Sequence, residues 1–130
     1  LVSLNEPIKA NITDTLKGKY IELSLSDSLD NTLLDNLMQL EPTGEANPKP
    51  LFLDRNARFV NYSTFGKNKK HLKGVIRGKY KNIPVIGFNM ADRTAEVNLN
   101  EPCNVLYAHS FESYNQRSSW RVHIRDVFPA

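Results

Sequence analysis

The residues of this sequence best suited to chemistry form a run of cations in the middle of the chain. Seven lysines or arginines fall within residues 67–81, and flat side chains are interleaved among them. This combination is typical of proteins that bind single-stranded nucleic acid, because cations neutralise phosphates and rings stack on bases, at about 1–3 kcal/mol per base. The candidate binding residues in the run are Lys67, Lys69, Lys70, His71, Lys73, Arg77, Lys79 and Tyr80.

A second candidate set lies near the C-terminus, where apolar and charged residues alternate. Residues 119–128 have the period of two that is typical of a half-buried strand. Arg121, His123 and Arg125 are expected on its exposed face, with Trp120 on the buried one. Arg121, His123 and Arg125 would extend the basic surface, and the acids Glu112 and Asp126 are expected to pair with such arginines.

The aromatic residues near the cation run have two different expected roles. Phe65 and Phe88 are predicted to lie in the core, because large apolar side chains favour the interior. Tyr80 lies at the tip of a predicted hairpin, and it is the ring that we expect to stack on a base.

The charge distribution agrees with a polyanionic partner. Residues 55–91 contain nine lysines or arginines and no acid, whereas the flanking segments 1–54 and 92–130 are both net acidic, so the whole chain is only +3. Basic clustering of this kind favours nucleic acid as the partner. A solvated strand face that happens to be basic is the alternative explanation.

Sets of residues that perform catalysis are missing from the sequence. His71, His109 and His123 lie in separate predicted strands, and no HExxH, GxSxG, Walker or GxGxxG pattern occurs. Cys103 is the one cysteine, which excludes an internal disulfide and a cysteine-based zinc site. We therefore predict no catalytic residue, no metal ligand and no cofactor within this chain.

The hydrophobic periodicity predicts a mainly β fold. Residues 19–25 alternate like a strand, and residues 26–41 have the apolar spacing of an amphipathic helix, which Ser26, Ser28 or Asp30 could cap. About five strands follow, a number that favours a small closed or partly open barrel. Their predicted bounds are 57–65, 71–80, 83–89, 103–112 and 119–128. We accordingly divide the chain into an N-terminal strand and leucine-rich helix, residues 1–41, and a barrel, residues 42–130.

The cellular setting is predicted from the ends and the hydropathy of the chain. The sequence begins with Leu1, its first residues do not read as a signal peptide, and no apolar run approaches the roughly 18 residues of a membrane helix. We expect a piece of a longer cytoplasmic protein with no membrane partner.

Four segments resemble, in order and at compatible spacing, segments of the RecJ family of single-strand-specific 5′→3′ DNA exonucleases. They are LLDNLMQLEPTGEANPKPLFL, GKNKKHLKGVI, VIGFNM and SYNQRSSWRVHIRDV, and the resemblance spans residues 24–127. It implies a C-terminal OB-fold region, here a five-stranded OB-like barrel preceded by one strand and one helix, that follows catalytic DHH and DHHA1 domains. It also implies single-stranded DNA as a partner, a part in DNA repair and recombination, and Mg or Mn as the metal of the parent enzyme.

The resemblance assigns roles to individual residues only in two places. The entry loop into the barrel is matched by Pro42, Gly44, Asn47, Pro48, Pro50 and Phe52. The basic turn and strand are matched by Gly66, Lys67, His71, Leu72 and Lys73. A second hypothesis is a protein-interaction or scaffold domain that docks on its parent enzyme or on a partner.

Overall fold

Strands account for most of the secondary structure, so the predicted mainly β class is confirmed. The computed structural model describes residues 20–39 and 50–130 of the chain. A short 3-10 turn, Lys67–Lys69, precedes the third of the long strands. In chain order the elements are β1 (Ile21–Glu22), α1 (Leu25–Ser28), α2 (Asn31–Met38), β2 (Phe52–Ala57), β3 (Phe59–Phe65), β4 (His71–Ile76), β5 (Ile83–Gly87), α3 (Ala91–Glu96), β6 (Cys103–Tyr114) and β7 (Arg117–Pro129).

All seven strands belong to one sheet of the OB-like barrel type. Their order is β1-β2-β6-β7-β5-β4-β3. The pairs β1–β2 and β5–β7 are parallel, and the other pairs are antiparallel. Within the described residues no pairing joins the edge strands β1 and β3, so the sheet is not closed.

Six strands follow the helices where the sequence predicts about five, and the additional strand is β2. Its residues do not alternate, because Phe52, Leu53 and Asp54 are all buried in succession. Phe52 packs into the main core, whereas Leu53 packs with Leu106 and Phe128 in a second cluster. A strand that is buried on both faces lacks the period of two by which strands are recognised.

The leucine-rich segment forms two short helices instead of the one predicted. Ser24 caps α1 by accepting a hydrogen bond from the N–H of Asp27 at 3.1 Å. Asp30, one of the predicted capping residues, caps α2 by accepting from the N–H of Leu33 at 3.2 Å. Each cap starts a new helix and satisfies a backbone donor that would otherwise lack a partner. The predicted end of the helix at residue 41, and most of the entry loop, lie outside the described residues.

The main core is enclosed between the sheet and the two N-terminal helices. Leu25 of α1 and Leu37 of α2 are buried in it together with side chains from β2 and from β4 through β7. The two helices therefore pack against the same core as the barrel strands, whereas Ile21 of β1 is exposed. Among the described residues, no helix is long and apolar enough to cross a membrane.

Two buried polar groups fix α1 against the sheet. The carboxylate of Asp54 accepts a hydrogen bond at 2.9 Å from the N–H of Leu25, the first residue of α1. The hydroxyl of Tyr107 donates to the carbonyl of Leu23 at 2.7 Å. Burial raises the pKa of Asp54 and of Tyr107, because it disfavours the charged form of each.

Candidate nucleic-acid interface

The strand pairings place several predicted binding residues on one surface. Ser63, Lys73, Ile86 and His123 are consecutive partners across β3, β4, β5 and β7. Side chains alternate across a sheet, and Leu72, Val85 and Val122, which directly precede Lys73, Ile86 and His123, point toward the core. We call the surface that carries Ser63, Lys73, Ile86 and His123 the outer face.

Four rings cross the outer face in a continuous row. Phe65, His71, Phe88 and His123 follow one another with centroid separations of 5.4, 5.3 and 5.4 Å. Neighbouring rings are tilted by 50° to 78°, which are favourable aromatic contacts. We call this set the ring row. It gives the outer face planar groups of the kind on which bases stack.

The predicted core location of Phe65 and Phe88 is wrong. Phe88 is 49% exposed, and Phe65 is half-buried beside His71 on the outer face. The register of β3 shifts between Phe59 and Asn61, so that Phe59 packs on the core and Phe65 points outward. A bulge of this kind reverses the faces of all later residues in the strand, and the sequence carries no clear mark of it.

The ring of His71 is held by backbone on two sides. Its Nδ1 accepts a hydrogen bond at 3.0 Å from the N–H of Asn89, so its proton is on Nε2 in the neutral ring. Gly66 lies against the same ring, at a φ of 88°, and a Cβ there would be 2.6 Å from Cδ2 of His71. The turn therefore needs a glycine at residue 66 to pack against the ring row.

A groove of about 730 Å³ lies along the outer face beside the ring row. Among the described residues that line it, three are cationic, Lys73, Lys81 and Arg121, and none is acidic. The ammonium of Lys73 lies 6.0 Å from the centroid of Phe65, so charge and ring are adjacent. The lining residues of the outer face include Asn61, Ser63, Phe65, Lys73, Val75, Lys81, Pro84, Ile86 and Arg121.

The remaining cations of the predicted run are distributed between two places. Lys67, Lys69 and Lys70 are exposed on the turn that leads into His71, next to the ring row. Arg77 and Lys79 instead line a second cleft of about 290 Å³, together with Asp27 and Asp54.

The predicted stacking residue Tyr80 lies at the end of the run that carries Arg77 and Lys79. It is 88% exposed, and the ammonium of Lys79 lies 5.9 Å from its ring centroid. The structure therefore brings Lys73 and Arg121 together on the groove, but it does not place Arg77, Lys79 and Tyr80 among the groove's lining residues.

The predicted outward row of β7 is present on the outer face, where it meets an acid. Nε of Arg121 lies 3.6 Å from the carboxylate of Glu112, as expected, but the expectation is wrong for Asp126, whose carboxylate pairs with Arg93 at 2.7 Å. Nε2 of His123 lies 2.6 Å from the same carboxylate, but at an angle unsuited to a hydrogen bond. Arg125 is exposed two residues further along β7.

Two buried titratable groups, His109 and Cys103, are uncharged at neutral pH. His109 is 4% exposed, and burial lowers its pKa to about 4, so its imidazole is neutral at pH 7. Burial raises the pKa of Cys103 to about 11, so its thiol is not ionised. Within residues 20–39 and 50–130, no three His, Cys, Asp or Glu side chains are grouped closely enough to hold a metal ion.

Comparisons with known proteins point to one family. A family model described as the RecJ OB domain matches residues 21–126. The single-stranded-DNA-specific exonuclease RecJ of Bacillus subtilis (strain 168) is 29% identical over 127 residues, which are 95% of this chain and 16% of that protein. The crystal structure of RecJ with Mg²⁺ from Thermus thermophilus is 25% identical, with a TM-score of 0.57, over 85% of this chain and 16% of that one.

A second RecJ structure from Thermus thermophilus, determined with Mn²⁺, shares the fold. It has a TM-score of 0.59 at 24% identity, again over 85% of this chain. The chain spans 16% of the length of these relatives.

Proposed function

The chain belongs to the RecJ OB domain family, and on that basis we propose that it is the single-stranded-DNA-binding module of a RecJ-type 5′→3′ single-strand-specific exonuclease. The observation that carries the proposal is the ring row beside a groove with three cationic residues and no acidic one among its described lining. Rings and cations next to each other are what a flexible, unpaired strand needs, because its bases are free to stack while its phosphates are neutralised.

In the binding mode that we propose, aromatic side chains stack on bases and cationic side chains contact phosphates. Phe88, whose ring is about half exposed, offers a stacking surface, and Phe65 offers a second one. Lys73, Lys81 and Arg121 contact phosphates along the groove. The lysines of the turn at residues 67–70 and Arg125 extend the same electrostatic surface beyond it. Such contacts carry little sequence readout and depend strongly on salt.

The rest of the enzyme supplies the chemistry in this proposal. We propose that residues 1–41 lead from upstream DHH and DHHA1 domains into the barrel of residues 42–130, in a cytoplasmic enzyme of DNA repair and recombination. The Mg or Mn of such an enzyme finds no matching donor set among the described residues. The metal would therefore be held by the catalytic domains, and no step of the reaction is assigned to this chain.

Charge substitutions test which cations bind. We expect K73Q/R121Q to weaken the binding of a labelled oligothymidylate in a fluorescence anisotropy titration. We also expect it to flatten the dependence of log K on log salt by about 1.4, since each lost phosphate contact removes about 0.7 from the slope for a single strand. R77Q/K79Q is the matched control, with the same charge change in the second cleft. Equal losses for the two variants would remove the groove from the proposal.

A protein-interaction role is the second candidate, and the edge strand β3 favours it. Among the described strands β3 pairs only with β4, and its seven residues include no charge and no proline. Val60 and Tyr62 on it are 50% and 40% exposed. An edge of this kind can pair with an extended segment of another domain or protein. Recovery of a partner that V60K abolishes, and that oligonucleotide does not displace, would favour docking over DNA binding.

A further inference from the structure

Glu112 places a negative charge at the end of the ring row. Its carboxylate lies 3.6 Å from Nε of Arg121 and 2.6 Å from Nε2 of His123. His123 is the last ring of the row, and Arg121 is one of the three cations that line the groove. The acid therefore lies where a strand that follows the rings and the groove would bring a phosphate.

The ion pair is poorly explained by a role in folding. The side chains of Glu112 and Arg121 are 37% and 54% exposed, and ion pairs at such exposure contribute little to stability. Glu112 lies directly opposite Ser119 on the paired strand, and Arg121 lies opposite Ser110, so the pairing of β6 with β7 does not depend on the two charges. The contact with His123 is close but lacks hydrogen-bond geometry.

We infer that Glu112 limits the affinity of the outer face for single-stranded DNA by competing with phosphates for Arg121. The inference rests on the proposed function. A phosphate that approaches Arg121 must displace the carboxylate or bind beside it, and like charges repel. Arg121 then exchanges one anionic partner for another, which weakens the net gain on binding and speeds release. Release of this kind suits a module that passes a strand onward to another domain instead of storing it.

Neutralising the acid tests the inference. E112Q keeps the shape of the side chain and removes its charge, and E101Q is the matched control. Glu101 is exposed and precedes β6, so it is about 30 Å from Glu112 along the extended strand. Relative to E101Q, we expect E112Q to bind a labelled oligothymidylate about two- to fivefold more tightly, the range that exposed ion pairs contribute. The salt slope should steepen by less than about 0.7, because Arg121 already contacts a phosphate in the parent chain and E112Q removes only its competitor.

A double variant shows whether the effect passes through Arg121. In R121Q the competing partner is absent, so adding E112Q should give a much smaller gain than it gives in the parent chain. The dissociation rate measured by stopped-flow should fall in E112Q and stay unchanged in E101Q. A circular dichroism melt confirms that each variant is folded, which the exposure of all three side chains leads us to expect.

The outcomes separate the inference from the proposed function. If the parent chain binds and E112Q binds no better than E101Q, the inference is wrong and the proposed function stands. If E112Q binds more weakly than E101Q, the inference is also wrong and the proposed function stands, because Glu112 would then position Arg121 for binding instead of opposing the binding of phosphate. If no variant shows salt-dependent binding, the proposed function fails and the inference fails with it. Binding by E112Q where the parent chain shows none supports the inference in its strongest form.

Discussion

Removing the ring of Phe88 is the most direct test of the ring row. Phe88 contacts His71 on one side and His123 on the other, at centroid distances of 5.3 and 5.4 Å. About half of its surface is exposed, at 49%, so one part of the ring is covered by neighbours and the other part is open to a base. The substitution F88A therefore removes a stacking surface and also a share of the packing on the outer face.

The half exposure of the Phe88 ring sets the expected losses of DNA affinity and of stability in F88A. A stacked base is worth about 1–3 kcal/mol by alanine substitution. A half-covered ring belongs near the low end, about 1 kcal/mol, which is roughly a fivefold loss of affinity. The stability cost should be well below the roughly 3–5 kcal/mol of a fully buried phenylalanine, about 1–2 kcal/mol, since half the ring is already in water.

The assay is an anisotropy titration with labelled oligothymidylate at several salt concentrations. Because F88A removes no charge, the affinity should fall while the salt slope stays the same. The control is Y80A, an aromatic residue that is 88% exposed and does not line the groove. An unchanged affinity for F88A would refute the stacking role of the ring row. A larger loss of affinity for Y80A would favour Tyr80, the stacking residue predicted from the sequence.

Three further predictions concern stability and the turn beside the ring row. Because the pKa of His109 is lowered to about 4, the unfolded chain binds a proton more readily than the folded one. Urea titrations should therefore show a loss of stability of up to about 3 kcal/mol as pH falls from about 6.5 to 4. H109Q should flatten this pH dependence, and an equally steep curve for H109Q would contradict the prediction. D54A should lower the free energy of unfolding by about 1–2 kcal/mol, because the N–H of Leu25 would lose its partner. D54N keeps an acceptor and should lower the stability less. Equal losses of stability for the two variants would argue against the hydrogen bond. G66A should lower the free energy of unfolding by about 1–3 kcal/mol, because residue 66 has a positive φ and lies close to His71. It should also weaken DNA binding. Binding of DNA by G66A at full affinity would show that the turn does not support the ring row.

The sequence predicts the fold class well because most strands have one buried and one solvated face. β4, β5 and β7 alternate clearly, and in β7 the outward positions of Arg121 and Arg125 were predicted from the pattern alone. β2 could not be found in this way, because both of its faces are buried. The single predicted helix became two because Asp30 starts a new helix one turn after the first has begun.

The candidate site was predictable in its charges but not in its geometry. Arg77 continues the alternation of Lys73 in the sequence, but β4 ends at Ile76 and Arg77 lines the second cleft with Asp27 and Asp54 instead of the groove. Proximity in sequence therefore overstated the size of the basic surface. The bulge in β3 had the opposite effect, because it turned Phe65 outward and gave the outer face a ring that composition had assigned to the core.

The ring row and Glu112 together make the two ends of the outer face electrostatically different. Its β3–β4 end carries Lys73 next to Phe65 and is followed by the exposed lysines of the turn, whereas its β6–β7 end carries the carboxylate of Glu112. Under the proposed function, a strand that crosses the row meets electrostatic attraction at one end and competition for Arg121 at the other. Under the proposed function, the β3–β4 end would retain the strand while the β6–β7 end exchanges phosphates quickly. An even distribution of cations would hold the strand more tightly but would give it no preferred end for release.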